Sequence, residues 1–359
     1  MRIALDAMGG DHAPREAVQG AFLAVRDSEI LGIADGALEV LLVGPQEVIV
    51  AEMARLEGTR GKDRLKVIDA REVVGMGEHP AQAVKQKKDS SIVRCADLVR
   101  SGEADGTVSA GNTGAAMAAA LLRIGRLKGV SRPAIASIIP SVSGVSLLLD
   151  AGANVDCKAN HLLQFALMGD LYARTVLKHK EPRVGLLSVG EEESKGNDLV
   201  FAAQELLKKA PLRYIGNVEG CDTVNGRCDV IICDGFVGNV TLKTIEGVGE
   251  LVFNLLRKEL GANLFTLLGG LLAAPAFRRF KKAVDYSEYG GAPLLGIDGV
   301  SIISHGKSKA NAFKNAIRAA ARCVKGDMKE RMAGIITTHG QALPERIPGT
   351  GTVEAKGEQ

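Results

Sequence analysis

Short β-rich runs alternate with helix-like segments along most of this 359-residue chain, and no other property narrows the fold as much. The runs fall at 3–6, 40–44, 65–69, 106–110, 134–139, 146–150, 184–189, 214–218, 229–234 and 300–304. Most are closed by small or polar residues such as Gly, Asp, Ser and Asn. Helix-like segments at 13–26, 46–55, 113–122, 160–177, 198–209 and 311–323 lie between them. This order predicts an α/β protein built on a mostly parallel, doubly wound sheet. Aromatics are only 4% of the chain and Trp is absent, while Gly numbers 43. Cores of Ala, Val, Ile and Leu with Gly-rich turns suit strands buried on both faces. The chain shows neither an internal repeat nor a linker before residue 335. Residues 1–335 are therefore read as one catalytic unit, and the polar 336–359 stretch, with its Gly and Pro, as a disordered tail.

A formal charge of +3 is close to neutral and argues against wholesale nucleic-acid binding. The six cysteines contain no C-x-x-C pair and are read as reduced structural thiols, with no metal site. The chain opens on a strand rather than a basic-then-apolar leader, so a cytoplasmic protein is expected.

One stretch departs from the pattern. Residues 260–277 carry no charge, and Arg278, Arg279, Lys281 and Lys282 come directly after. The run is marginal for a membrane span of ~20 residues, and Gly269, Gly270 and Pro275 interrupt it. Three forms fit: a buried helix, a dimer-interface helix, or an apolar segment lying in a membrane surface with basic residues behind it. A protruding helical segment is expected at about 248–283.

The chemistry is carried by the loops at the strand ends. Asp6 is followed by Gly9, Gly10, Asp11 and His12, then Pro14 at a helix start. Ser109 leads into Gly111-Asn112-Thr113-Gly114, and Asp150 into Asn154. The fourth loop spans Gly190 to Asn197 and includes Lys195. Asp234 precedes Asn239, with Lys243 one turn further, and Ser304-His305-Gly306-Lys307-Ser308 precedes the last of these helices. Glycines let a backbone approach a ligand, and a helix N-terminus turns N–H groups toward an anion. Asn112 and Thr113 can add donors or cap the helix. Together these loops describe one long polar cleft with phosphate-sized cradles.

Several familiar motifs are near misses. Gly75-Met76-Gly77 lacks the third glycine of a dinucleotide fingerprint, and Ser301 stands where a P-loop needs its first glycine. Of the histidines, His12 and His305 lie in Gly-rich loops at strand ends and are the candidates for chemistry. His161 and His179 are read as surface or packing residues, His79 as a loop residue, and His339 as part of the tail.

The segments 6–14, 109–114, 190–197, 216–220, 234–239, 289–293 and 304–306 closely resemble, in order, the bacterial acyl-acyl-carrier-protein:phosphate acyltransferases of phospholipid synthesis. The resemblance runs from Arg2 to about Cys323 and leaves the tail unmatched. It implies transfer of a long-chain acyl group from acyl carrier protein to inorganic phosphate, without a cofactor. It implies a Rossmann-like fold related to phosphotransacetylases and isocitrate/isopropylmalate-dehydrogenase-like enzymes. It further implies a homodimer, peripheral association with the inner face of the cell membrane, and delivery of acyl phosphate to a membrane glycerol-3-phosphate acyltransferase. Membrane contact favours the interfacial or dimer-edge form of 260–277, with Leu264, Leu267 and Leu271 as the apolar contacts.

The expected chemistry needs no catalytic triad. Phosphate is already an anion near neutrality, with a second ionisation near ~6 for its esters. The protein must hold two reactants together and stabilise an oxyanion. Gly9, Gly10, Gly111, Asn112, Thr113 and Gly114 are expected to cradle phosphate. Lys195, and secondarily Lys243, would neutralise its charge. Asn197, Asn239 and His305 would serve the oxyanion or orient phosphate, with His12, Asn154 and Ser304 lining the site. Asp6, Asp11 and Asp234 would fix donors, since a carboxylate facing phosphate would repel it. The acidic carrier requires a basic dock, either Lys85/Lys87/Lys88 or Arg278/Arg279/Lys281/Lys282. Rival readings are a phosphotransacetylase-like enzyme using acyl-CoA, a non-catalytic ligand-binding protein at the membrane surface, and a dehydrogenase, which the missing fingerprint weakens.

Overall fold

The computed structural model describes residues 1–28, 38–58, 60–284 and 289–340. The side chains of Arg278, Lys281 and Lys282, and residues 341–359 of the expected tail, lie outside that description. Eleven strands form one sheet: β1 (Arg2–Asp6), β2 (Glu39–Gly44), β3 (Leu65–Asp69), β4 (Gly106–Ser109), β5 (Ala134–Ser141), β6 (Gly144–Leu149), β7 (Arg183–Leu187), β8 (Arg213–Val218), β9 (Val230–Ile232), β10 (Ala292–Leu295) and β11 (Ser301–Ile303). The helices are α1 (Arg15–Arg26), α2 (Gln46–Ala54), α3 (Pro80–Gln86), α4 (Ser91–Arg100), α5 (Thr113–Ala119), α6 (Ala159–Tyr172), α7 (Asp198–Leu207), α8 (Asp222–Asn225), α9 (Gly235–Leu260), α10 (Leu264–Val284), α11 (Ala310–Lys325) and α12 (Met328–His339). Helices α5 and α6 each continue into a π-helical turn, Ala120–Ile124 and Ala173–Leu177.

The strand order is β3-β2-β1-β4-β11-β10-β5-β6-β9-β7-β8. Strands β3, β2, β1, β4 and β11 pair in parallel, as do β6, β9, β7 and β8. Between these blocks β10 is antiparallel to both β11 and β5, and β5 is antiparallel to β6. Three antiparallel steps reverse the sense, so the carboxyl ends of the two blocks point to opposite edges of the sheet.

Both faces are covered. Ile3, Leu5, Leu147, Leu149, Val230 and Ile232 join one core with residues of α1, α6, α11 and α12. The intervening Leu148 and Ile231 join a second core with the alanines of α5. Fully buried Phe22, Phe165, Phe313 and Tyr172 anchor the first core, each aromatic contributing about 2 kcal/mol. Close packing demands small residues where layers touch: a Cβ on Gly20 of α1 would stand 2.4 Å from Phe313 Cβ on α11.

Two expectations change. The chain stays helical through His339, because Met328, Met332 and Ile336 are buried on one face of α12. Gly340 O also accepts from buried Gln164 Nε2 at 2.9 Å. The polar residues that read as tail satisfy themselves: the hydroxyls of Thr337 and Thr338 donate back to Ala333 O and Gly334 O. Strand β10 lies in none of the expected runs: its four residues come after Gly-Gly and contain Pro293, which cannot donate to a ladder. The geometry accommodates Pro293 by splitting the pairing, with Ala292 and Pro293 facing β11 and Leu294 and Leu295 facing β5.

Candidate active site

The polar loops gather into clusters rather than one row, because the two blocks end at opposite edges. The first cluster closes the ends of β1, β4 and β11. Buried Asp6 accepts the Ser109 hydroxyl at 2.7 Å and the Met8 N–H at 3.2 Å. Ser109 Oγ in turn accepts the Gly111 N–H at 3.1 Å. The β11 loop is stitched on by Ser304 N–H to Ser109 O and Asp11 N–H to Gly306 O, both 2.8 Å. Glycine is required where these loops meet, since a Cβ on Gly9 would lie 2.6 Å from Gly111 N. Gly10, at φ +105°, takes the left-handed backbone that L side chains disfavour. Burial pushes the Asp6 carboxyl above its ordinary value, against the opposing pull of the Ser91 and Ser109 hydroxyls and the Met8 and Gly9 N–H groups.

Asn112 is the N-cap of α5: its side-chain oxygen accepts the Ala115 N–H at 3.0 Å. Its amide nitrogen donates to Met76 O at 2.9 Å and Glu78 O at 3.3 Å. The loop that failed as a dinucleotide fingerprint is therefore part of this cluster. A Cβ on Gly306 would come 3.1 Å from Met76 Cε, and one on Gly114 2.6 Å from Pro80 Cγ. The signal available in sequence was Gly75-Met76-Gly77 before His79-Pro80, read only for its mismatch. Lys87, expected as part of a basic dock, instead pairs with Glu78 at 2.6 Å and donates to Val73 O. His12, Asp11 and Thr113 are exposed at the mouth of the cluster. His305 is exposed there too, its Nδ1 accepting the Lys307 N–H at 3.2 Å.

The second cluster is organised by Asp150, which is fully buried. Its carboxylate accepts the N–H groups of Ile135 (3.0 Å), Gly152 (3.2 Å), Ala153 (3.0 Å) and Asn154 (2.7 Å), and the Asn154 amide at 2.8 Å. Burial raises its carboxyl above the ordinary value, and these donors resist the rise. The Asn154 amide also donates to Pro133 O at 2.7 Å, and Asn154 O receives the Gly235 N–H at 2.7 Å. Asp234 caps α9 by accepting the Val237 N–H at 2.9 Å. Asn239 is exposed beside Gly152. Asp150 ends an expected strand run and opens the loop to Asn154, but it is not among the expected site residues. One donor, the Ile135 N–H, comes from the neighbouring strand, and the other four come from the loop that Asp150 itself begins.

The end of β7 carries the third group. Lys195 is exposed, and its carbonyl accepts Asn217 Nδ2 at 3.0 Å; Asn217 also holds Glu192 O at 3.0 Å. Asn197 caps α7, its side chain accepting the Val200 N–H at 3.0 Å. Lys243, expected to neutralise phosphate, is ion-paired with Glu246 at 2.7 Å. Spaced i and i+3, the two side chains meet on one helix face. Among the described residues no three His, Cys, Asp or Glu side chains gather as a metal-binding set.

The apolar segment is not a buried helix. Helix α9 buries only Gly235 and Gly238, and α10 runs unbroken through Gly269, Gly270 and Pro275. Leu264 is 68% exposed, Phe265 87%, Leu267 49%, Leu271 64% and Leu272 86%. Arg279 is also exposed. No helix among the described residues is long and apolar enough to cross a membrane.

A family model described as "Fatty acid synthesis protein" matches residues 1–331. A phosphate acyltransferase of Pelotomaculum thermopropionicum is 52% identical over 330 residues, covering 92% of this chain and 93% of its own. One from Heliobacterium modesticaldum is 51% identical over 350 residues, covering 97% and 98%. Among solved structures, a Streptococcus pyogenes phosphotransacetylase shares the fold at TM-score 0.58 and 19% identity, covering 90% of this chain and 94% of its own. The Staphylococcus aureus EutD phosphotransacetylase does so at TM-score 0.55 and 15% identity, with the same coverage. The expected relation to that fold is thereby met, and the chain belongs to the fatty acid synthesis protein family, whose matching relatives are phosphate acyltransferases.

Proposed function

We propose that this enzyme transfers a long-chain fatty acyl group from the thioester of acyl carrier protein to inorganic phosphate. A phosphate oxygen attacks the thioester carbonyl. The tetrahedral intermediate collapses with cleavage of the C–S bond, releasing acyl phosphate and the carrier thiolate, which takes a proton from water. The observation that carries the reading is the Asp6–Ser109–Gly111 relay. It sets three glycine loops around the start of α5 while keeping its own carboxylate behind them. The first N–H groups of a helix have no partner within it, so those of Thr113 and Gly114 serve phosphate. Gly9, Gly10 and Gly111 allow the approach, and Ser304 and His305 flank it. Such fixed donors stabilise developing charge without reorganising.

On this reading the enzyme works in the cytoplasm as a homodimer at the inner face of the membrane and feeds a membrane glycerol-3-phosphate acyltransferase. The exposed leucines of α10, with the basic residues at its end, support the surface contact.

The deciding experiment supplies acyl carrier thioester and phosphate and looks for acyl phosphate; its absence overturns the proposal. Asn112→Ala and Lys195→Ala then locate phosphate. A raised phosphate KM in the first alone keeps it at the first cluster, and in the second alone moves it to the β7 loop. Liposome flotation of the triple variant Leu264→Glu, Leu267→Glu, Leu271→Glu tests the membrane contact, which undiminished binding would refute. Sedimentation reads the dimer.

A further inference from the structure

A cavity of about 470 Å³ lies between α5, the loop joining it to β5, and the Asp150 cluster. Such a volume falls within the ~300–1,000 Å³ range of small-molecule sites. Met117, Leu121, Pro133 and Leu294 give it apolar walls, and Arg126 and Arg132 stand exposed on its lining. Lys128, on the same loop, and Lys158 are exposed too, with Asp156 the nearby acid in sequence. Burial, Arg132 and Lys158 all hold the His161 imidazole below its ordinary pKa, which marks this rim as electropositive. The cavity is joined to the first cluster by α5 itself. At ~1.5 Å per residue, Met117 lies about 6 Å and Leu121 about 12 Å along the helix from Thr113. Its other side is fixed by Asn154, whose amide holds Pro133 O and the Asp150 carboxylate.

A slot with apolar walls, polar Ser131 and Asn154 between them, cations on its lining and a reacting centre along one wall fits a slender donor arm of methylenes and amides that is anionic at its far end. We propose that this cavity receives the phosphopantetheine arm of the acyl donor, with its phosphodiester on Arg126 and Arg132 and its length against Met117, Leu121 and Leu294. The inference rests on the thioester reading above and names the part of the donor that this surface recognises. The acidic carrier would then settle over the same basic rim, by charge complementarity.

Calorimetry of the full chain with free phosphopantetheine and with pantetheine, which lacks the phosphate, tests it directly. The wild type should bind phosphopantetheine at least tenfold more tightly than pantetheine. The double variant Arg126→Gln, Arg132→Gln should abolish that preference, and Arg126→Lys, Arg132→Lys should restore part of it. Leu121→Trp, which fills the slot, should weaken both ligands. A wild type that binds neither ligand, or Gln variants that keep the preference, overturns the proposal. So does a Leu121→Trp enzyme that changes acyl-length dependence while the arginine variants leave donor KM alone, because the slot would then hold the acyl tail. Acyl phosphate formation, measured on the same preparations, separates the two readings. Phosphopantetheine binding without turnover fails the reaction and keeps the slot. Turnover with a donor KM untouched by the Gln variants fails the slot and keeps the reaction.

Discussion

Asp6 and Asp150 occupy equivalent places in the two blocks of the sheet, each immediately at the end of a strand and each buried, yet they are used differently. Asp150 takes five donors, four of them backbone N–H groups, and so dictates the path of residues 150–154. Asp6 is held by the Met8 and Gly9 N–H groups and by the Ser91 and Ser109 hydroxyls, and reaches Gly111 only through the Ser109 hydroxyl. One carboxylate shapes its own loop; the other sets the loop of a neighbouring strand. Stability should depend more on Asp150, and the position of the first cluster more on Asp6.

The largest effect should come from Asp150→Ala. It leaves the buried Ile135 N–H and three part-buried N–H groups without an acceptor, the buried one costing about 1–3 kcal/mol and the others less. A loss of about 3 kcal/mol in urea unfolding is expected; a loss under ~1 kcal/mol would show that the five bonds do not hold the loop. Gly9→Ala attacks the other side of the comparison, since its Cβ would sit 2.6 Å from a backbone nitrogen. A loss of about 2 kcal/mol is expected, together with a phosphate KM raised more than for any substitution in the 150–154 loop. Asn112→Ala removes a helix cap and should cost about 1–2 kcal/mol, measured by thermal melting.

Asp6→Asn should be nearly neutral in stability at pH 7, and its pH dependence is the sharper readout. The folded Asp6 carboxyl lies above its ordinary 3.8, so the native state holds that proton more tightly than the unfolded chain. Its contribution therefore worsens as pH rises from 3.8 through the raised value, and Asn removes that slope. Asp229 should slope the other way. Burial works to raise its carboxyl, but the Arg183 guanidinium and N–H more than offset this and hold it below 3.8. That contribution is present above 3.8 and is lost as pH falls through the lowered value. Unfolding titrations of Asp6→Asn and Asp229→Asn against wild type should show difference slopes of opposite sign; like slopes would contradict these environments. The smallest effect, within ~0.5 kcal/mol, is expected for Lys243→Ala, whose exposed pair with Glu246 is worth little.

Much of this was legible in the chain. Each expected strand run overlaps an observed strand, because burial on both faces forces continuous apolar runs that a sequence displays directly. The Gly-rich loops were legible for the same local reason. What Asn112, Asn197 and Asp234 do with their side chains is only half legible: a cap is expected of Asn112 alone, yet all three accept N–H groups three residues on. The Met76 loop and strand β10 were missed, since each acquires its role from partners elsewhere in the chain; the Asp150 hub was missed although four of its five donors lie within four residues of it.

By itself the sequence determined the elements, their two-sided burial and the glycine loops, all set by interactions within a few residues. The tertiary structure decided which loops meet. Ile3 pairs with Gly106 and Thr107 with Ser301, while the β5–β6 hairpin and β10 reverse the second block and split one expected cleft into clusters. Strand pairing across such separations leaves no periodic mark on the chain, because backbone hydrogen bonds join strands without regard to which side chains they carry.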